Sequence, residues 1–153
     1  RSQSRYDHIM AQVIDVLPDL RSWNKGAGIR PDDWIYIDGR ADHALGFCSL
    51  LWPDVIEIDG YILRVPLDEP RLREWERAGH SRRQVETAMN AFLFDGMFPK
   101  DGAEPSLKRA QLERLAIIMT DMLVTKLSFA FPGRRFSAFV LKGEDFGVSF
   151  HQT

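Results

Sequence analysis

Apolar positions along the chain follow two rhythms, one helical and one alternating. Tyr6, Ile9, Met10, Val13, Ile14 and Leu17 recur at i, i+3, i+4, i+7, i+8 and i+11, the spacing of one helix face, with Ser4 placed to cap it and Pro18 to stop it. RADHALGFCSLLW, residues 40 to 52, predicts a short, largely buried helix ending before Pro53. PRLREWERAG, from Pro70 to Gly79, carries Pro where a helix starts and Gly where one ends. Ser81 with Gln84 three positions on forms a capping box, and Val85, Ala88, Met89, Phe92 and Leu93 continue it as a helical stripe. A long helix is predicted from Ser106 to Phe131, ended by Pro132 and Gly133.

The alternating rhythm predicts strands. In WPDVIEIDGYILRVP the pair Asp59-Gly60 marks a two-residue turn, since both central positions need positive φ. That turn sets Ile58 against Tyr61, Glu57 against Ile62, Ile56 against Leu63 and Val55 against Arg64. Alternation then sends Ile56, Ile58, Tyr61 and Leu63 to the core. Glu57 and Arg64 meet on the other face as an ion pair of about 0.2 to 1 kcal/mol. RFSAFVL and FGVSFHQ form a second hairpin around Lys142 to Asp145, and WIYI, residues 34 to 37, predicts a short strand after the polar, Gly-rich loop of residues 19 to 33. FPKDGAEP, from Phe98 to Pro105, is a turn-rich connector. The expected fold is α+β: one domain over residues 1 to 153, with an antiparallel sheet of four to five strands in two hairpins. About five helices, one of them long and in the C-terminal half, pack with it.

Composition narrows the function classes. At 153 residues the chain can bury its own core, and 20 basic against 22 acidic side chains give a formal net charge of -2. Such a balance argues against coating nucleic acid over the whole surface. The one cysteine, Cys48, has no partner for an internal disulfide and lies in an apolar run, so it is expected as a buried structural thiol in a reducing, cytoplasmic setting. No export signal is visible, and Asp121 and Lys126 interrupt the longest apolar stretch, so no membrane insertion is expected.

The candidate chemistry is sparse. Asp54, Glu57 and Asp59 have the outline of a metal-dependent nuclease core after Pro53, but the lysine that such a strand carries is missing, and the residues read as turn and hairpin groups. Asp38, Asp42 and His43, with His151 from the last hairpin, have the residue types of a carboxylate and imidazole metal set without its spacing; His43 is the one to follow. His8 and His80 read as helix and turn residues. Cys48 and His43 lie about 140° apart on a helix, the wrong geometry for a thiol dyad. No catalytic, metal or cofactor residue is therefore assigned.

Lys126 falls on the apolar side of the long helix, where it must snorkel to solvent or meet a buried acid. LREWERAGHSRRQVETAMN has the outline of a helix-turn-helix, with Arg82, Arg83 and Gln84 at the start of a recognition helix, although bulky Trp75 and the glutamates Glu74, Glu76 and Glu86 speak against it. The remaining expectation is a non-enzymatic protein that binds another protein, a second copy of itself included, as accessory, inhibitor or immunity-type proteins do. Trp23 and Trp34 flank the Gly-rich loop with Lys25 and Arg30, and supply the aromatic and cationic anchors that interfaces favour.

Overall fold

A computed structural model describes residues 14–98 and 104–153. Ser4, His8 and the first apolar stripe as far as Val13 lie outside the described residues, as does most of the 98–105 connector. The architecture is α+β, with five strands in two antiparallel sheets among the described residues and one long helix in the C-terminal half. The chain divides into two compact units, Arg1–Gly46 with Gly102–Arg114, and Phe47–Asp101 with Leu115–Thr153.

In the first unit, helix α1 (Asp19–Ser22) begins after Pro18 and buries Leu20. A 3-10 turn (Asn24–Gly26) follows and folds back, since the Gly28 amide donates to the Trp23 carbonyl at 2.9 Å and the Ile29 amide to the Leu20 carbonyl at 3.0 Å. Gly28 sits at φ +80°, in the left-handed region that favours glycine, and a Cβ there would lie 3.4 Å from the Leu20 carbonyl oxygen. Helix α2 (Pro31–Asp38) then replaces the expected WIYI strand. Pro31 at its start and Asp32 and Asp33 in its first turn supply helix-initiating chemistry, which decides a four-residue apolar run that periodicity alone leaves ambiguous.

Helix α3 (Ala41–Leu51) forms where expected but contributes no buried residue, so Cys48 is exposed, not the buried thiol expected from its apolar neighbours. An apolar run says that a segment can be buried; it does not supply the surface that buries it.

In the second unit the turn Asp59-Gly60 (φ 52° and 81°) joins β1 (Val55–Ile58) to β2 (Tyr61–Arg64) in the expected register. Helices α4 (Glu69–Arg77) and α5 (Arg82–Met89) follow, the first capped by Asp68 and the second by the Ser81–Gln84 capping box. Leu63, Leu72 and Val85 form the core here, with Ile58, Tyr61, Leu67, Trp75 and Met89 packed against them. Ile56, assigned to the core by alternation, is exposed, and Ile62 on the opposite face is buried instead. Both faces of β2 are therefore covered, which alternation in a single hairpin cannot reveal.

Asn90 ends α5, so Phe92 and Leu93 leave the predicted helical stripe and form the short strand β3 (Phe92–Leu93). A one-turn helix α6 (Phe94–Met97) comes next, and then α7 (Pro105–Ala130), which buries Ala116, Met119, Leu123 and Leu127. The last hairpin, β4 (Phe136–Leu141) and β5 (Gly147–Gln152), completes a sheet of order β3-β5-β4. Gly147 is needed at its place, because a Cβ would lie 1.9 Å from the Phe92 carbonyl oxygen.

Two buried polar residues, Glu86 of α5 and Asn90 at its C-terminal cap, link the sheets. Among the described residues, the edge of β5 beyond the two residues of β3 has no strand partner, and neither has the outer edge of β2. Asn90 accepts from the Arg64 amide at 2.9 Å and donates to the carbonyls of Ile62 at 2.9 Å and Phe150 at 3.2 Å. Glu86 accepts from the amides of Ile62 at 2.8 Å and Gln152 at 2.7 Å. These two side chains satisfy the backbone groups that an intervening strand would otherwise pair.

Candidate functional site

The carboxylates of the first hairpin do not converge. Glu57 pairs with Arg134 at 2.6 Å, Asp59 with Arg73 at 2.8 Å, and Asp54 is exposed. The expected Glu57–Arg64 pair is not formed: Arg134 takes Glu57, and the Arg64 guanidinium lies 4.8 Å over the ring of Phe92. Burial, with Arg71 nearby, depresses the Arg64 pKa. Among the described residues no three His, Cys, Asp or Glu side chains gather as a metal would require. His43 is exposed on α3, and Asp42 beside it pairs with Arg40 at 2.5 Å, which lowers the Asp42 pKa.

His151 is buried on β5, edge-on to Phe139 with ring centroids 5.4 Å apart, and its Nδ1 is 3.4 Å from the Ser137 carbonyl oxygen. Burial first and Arg83 second lower its pKa, against a smaller opposing pull from Glu86. Lys126 meets no acid among the described residues and is half-buried. Its Nζ stands 5.3 Å over the ring of Trp52, a cation–π contact that lets a half-buried lysine stay on the apolar side of α7. His80 leans on Trp75 with ring centroids 4.4 Å apart, beside a cavity of about 660 Å3 whose Asp68 is already engaged as the α4 cap.

The helix-turn-helix outline is present as α4, a turn through Gly79 at φ +76°, and α5. Gln84, assigned to base contacts in that reading, is tied into the cap: its Oε1 accepts from the Ser81 amide at 2.9 Å. Arg82 and Arg83 are exposed.

The four residues assigned to partner binding all lie in the first unit. Trp23 precedes the 3-10 turn, and Lys25 holds a left-handed backbone within it (φ 57°). Arg30 pairs with Asp32 and with Asp33, 3.6 Å away, ahead of the first turn of α2. A cavity of about 540 Å3 runs between the loop and this helix start, lined by Leu20, Asn24, Gly26, Ile29, Arg30 and Asp33, among others. Trp34 opens an apolar run that stays largely on the surface: Trp34 is 37% exposed, Ile35 62%, Tyr36 90% and Ile37 58%. Helix α2 buries no residue at all. Ile35, Tyr36 and Ile37 were missed as surface residues because a strand places alternate residues inward, whereas a short helix without a neighbour leaves all of them outside.

No known protein family, curated protein or solved structure matches the chain. No helix among the described residues is long and apolar enough to cross a membrane.

Proposed function

We propose that the protein acts by binding another polypeptide through the surface that α2 and the preceding Gly-rich loop present, in the manner of an accessory, inhibitor or immunity-type protein rather than an enzyme. The observation that supports this reading is the run Trp34-Ile35-Tyr36-Ile37, four large apolar residues exposed together on a helix that buries nothing. Contiguous exposed apolar surface of this kind is costly in water and marks interaction sites. Trp and Tyr suit an anchoring role, offering large contact area and few rotatable bonds. Lys25 and Arg30 place cations beside them, where an interface keeps its polar rim. The ion pairs that hold Glu57 and Asp59 apart favour structural roles for the hairpin carboxylates over metal-assisted hydrolysis.

The test is recovery of the native assembly from its own cell, with intact mass measured for the wild-type chain, for Tyr36→Asp and for Ile35→Asp. The wild type should be recovered in an assembly heavier than one chain. Either aspartate should release the partner with an affinity loss of at least about tenfold, the usual consequence of charging an interface core. Recovery of the wild type only as a single free chain contradicts the proposal.

A further inference from the structure

The second unit holds a concavity whose chemistry points elsewhere. Arg82, Arg134 and Arg135 line one cavity of about 460 Å3, together with Gly60, Gly133 and Gln152. Arg82 opens α5, and the other two follow Gly133 in the turn between α7 and β4. The Arg82 Nη2 reaches over the hairpin turn, 3.7 Å from where a Cβ of Gly60 would stand.

Thr153 also lines the cavity, and the nearby acceptors of Glu57, Asp59, Gly60 and Glu86 are already engaged. Glu57 is paired with Arg134, which also donates to Gln152 Oε1 at 3.1 Å. Asp59 is held by Arg73, and the Gly60 carbonyl accepts from Gln152 Nε2 at 2.9 Å. Glu86 is fully buried and accepts from two backbone amides and from Gln152 Nε2. Arg82 and Arg135 have no acidic partner among the described residues. Three guanidinium groups therefore share one concavity whose lining holds no Asp or Glu side chain, and each has planar N–H forks suited to a tetrahedral oxyanion.

We propose that this cavity binds a phosphate monoester carried by a small molecule, with Arg82 and Arg135 gripping the phosphate oxygens and Arg134 completing the positive wall. A dianion relieves the mutual repulsion of the three cations, which water alone only screens. The volume has the size of a small-ligand site, and the cations line one hollow rather than a stripe, which favours a compact ligand over a nucleic-acid backbone. This site is independent of the partner-binding surface in the first unit, and either can fail without the other.

The experiment is calorimetric titration of the whole chain with inorganic phosphate and with phenyl phosphate, against chloride at equal ionic strength, for the wild type, Arg82→Ala, Arg135→Ala and Arg82→Lys. Saturable one-to-one binding of both phosphates is expected. Affinity should fall at least about tenfold in each alanine variant, as loss of a charge-assisted contact requires, and less in Arg82→Lys. Thermal unfolding of the same variants controls for folding.

Arginines that only offset the buried Glu86 would lower the unfolding temperature on replacement while phosphate bound no better than chloride, and that result overturns the proposal. Binding only to vesicles containing phosphatidic acid, with no saturable uptake of the free phosphates, overturns the small-molecule assignment. Steeply salt-dependent binding of a DNA duplex that needs Arg82 and Arg83, again without saturable phosphate, overturns it in favour of a nucleic-acid surface.

Discussion

Glu86 is the residue whose role is least expected from its neighbours in the chain. It lies on a helix rich in polar residues, where a glutamate ordinarily faces solvent, yet it is fully buried with its oxygens directed at Ile62 and Gln152. Its partners are 24 and 66 positions away, so no local pattern announces them. Glu86→Gln keeps the shape but turns one acceptor into a donor facing a donor. The expected cost is about 2 to 4 kcal/mol of unfolding free energy by urea titration, because a buried amide then goes unpaired.

His151, close by on β5, sets a pH dependence in the same direction as a paired carboxylate, because its folded pKa too lies below the unfolded one. Burial and Arg83 depress its pKa below the ordinary 6.5, while Glu86 pulls the other way and the Ser137 carbonyl and Phe139 ring complete its surroundings. As pH falls through that ordinary value the unfolded chain takes up a proton before the folded one, so the His151 contribution is intact above it and is lost below. Unfolding midpoints should drop as pH falls below that ordinary value, with a slope of up to about 1.4 kcal/mol per pH unit from this one group. His151→Gln should flatten that drop; an unchanged pH profile would show that the imidazole does not titrate as described.

Elements were legible where local chemistry decides and obscure where a distant neighbour does. The register of β1 and β2 follows from Asp59-Gly60 alone, and the capping box of α5 from Ser81 and Gln84. By contrast, alternation misplaced Ile56 and could not find the cover over Ile62, since that cover comes from α5. The helix over residues 31–38 was legible in Pro31, Asp32 and Asp33, but the β-branched and aromatic run behind them outweighed those signals. The arginine-lined cavity joins a hairpin turn, a helix start and the residues after Gly133, and no spacing along the chain brings those together.

At the scale of the whole molecule, the chain carries two surfaces of different chemistry, an apolar one on α2 and a cationic hollow between α5 and the last hairpin. The first is central to the proposed function, and α2 makes it directly measurable. An eight-residue helix with no buried side chain has little to hold it against opening, since helices so short are marginal in water without packing. A partner that covers Trp34, Ile35, Tyr36 and Ile37 supplies that packing. The decisive measurement is amide hydrogen exchange across Pro31–Asp38 in the isolated chain and in the assembly recovered from the native cell. The account predicts fast exchange in the isolated chain, slowed by at least about tenfold in the assembly. Equal exchange of this helix in both states would contradict it.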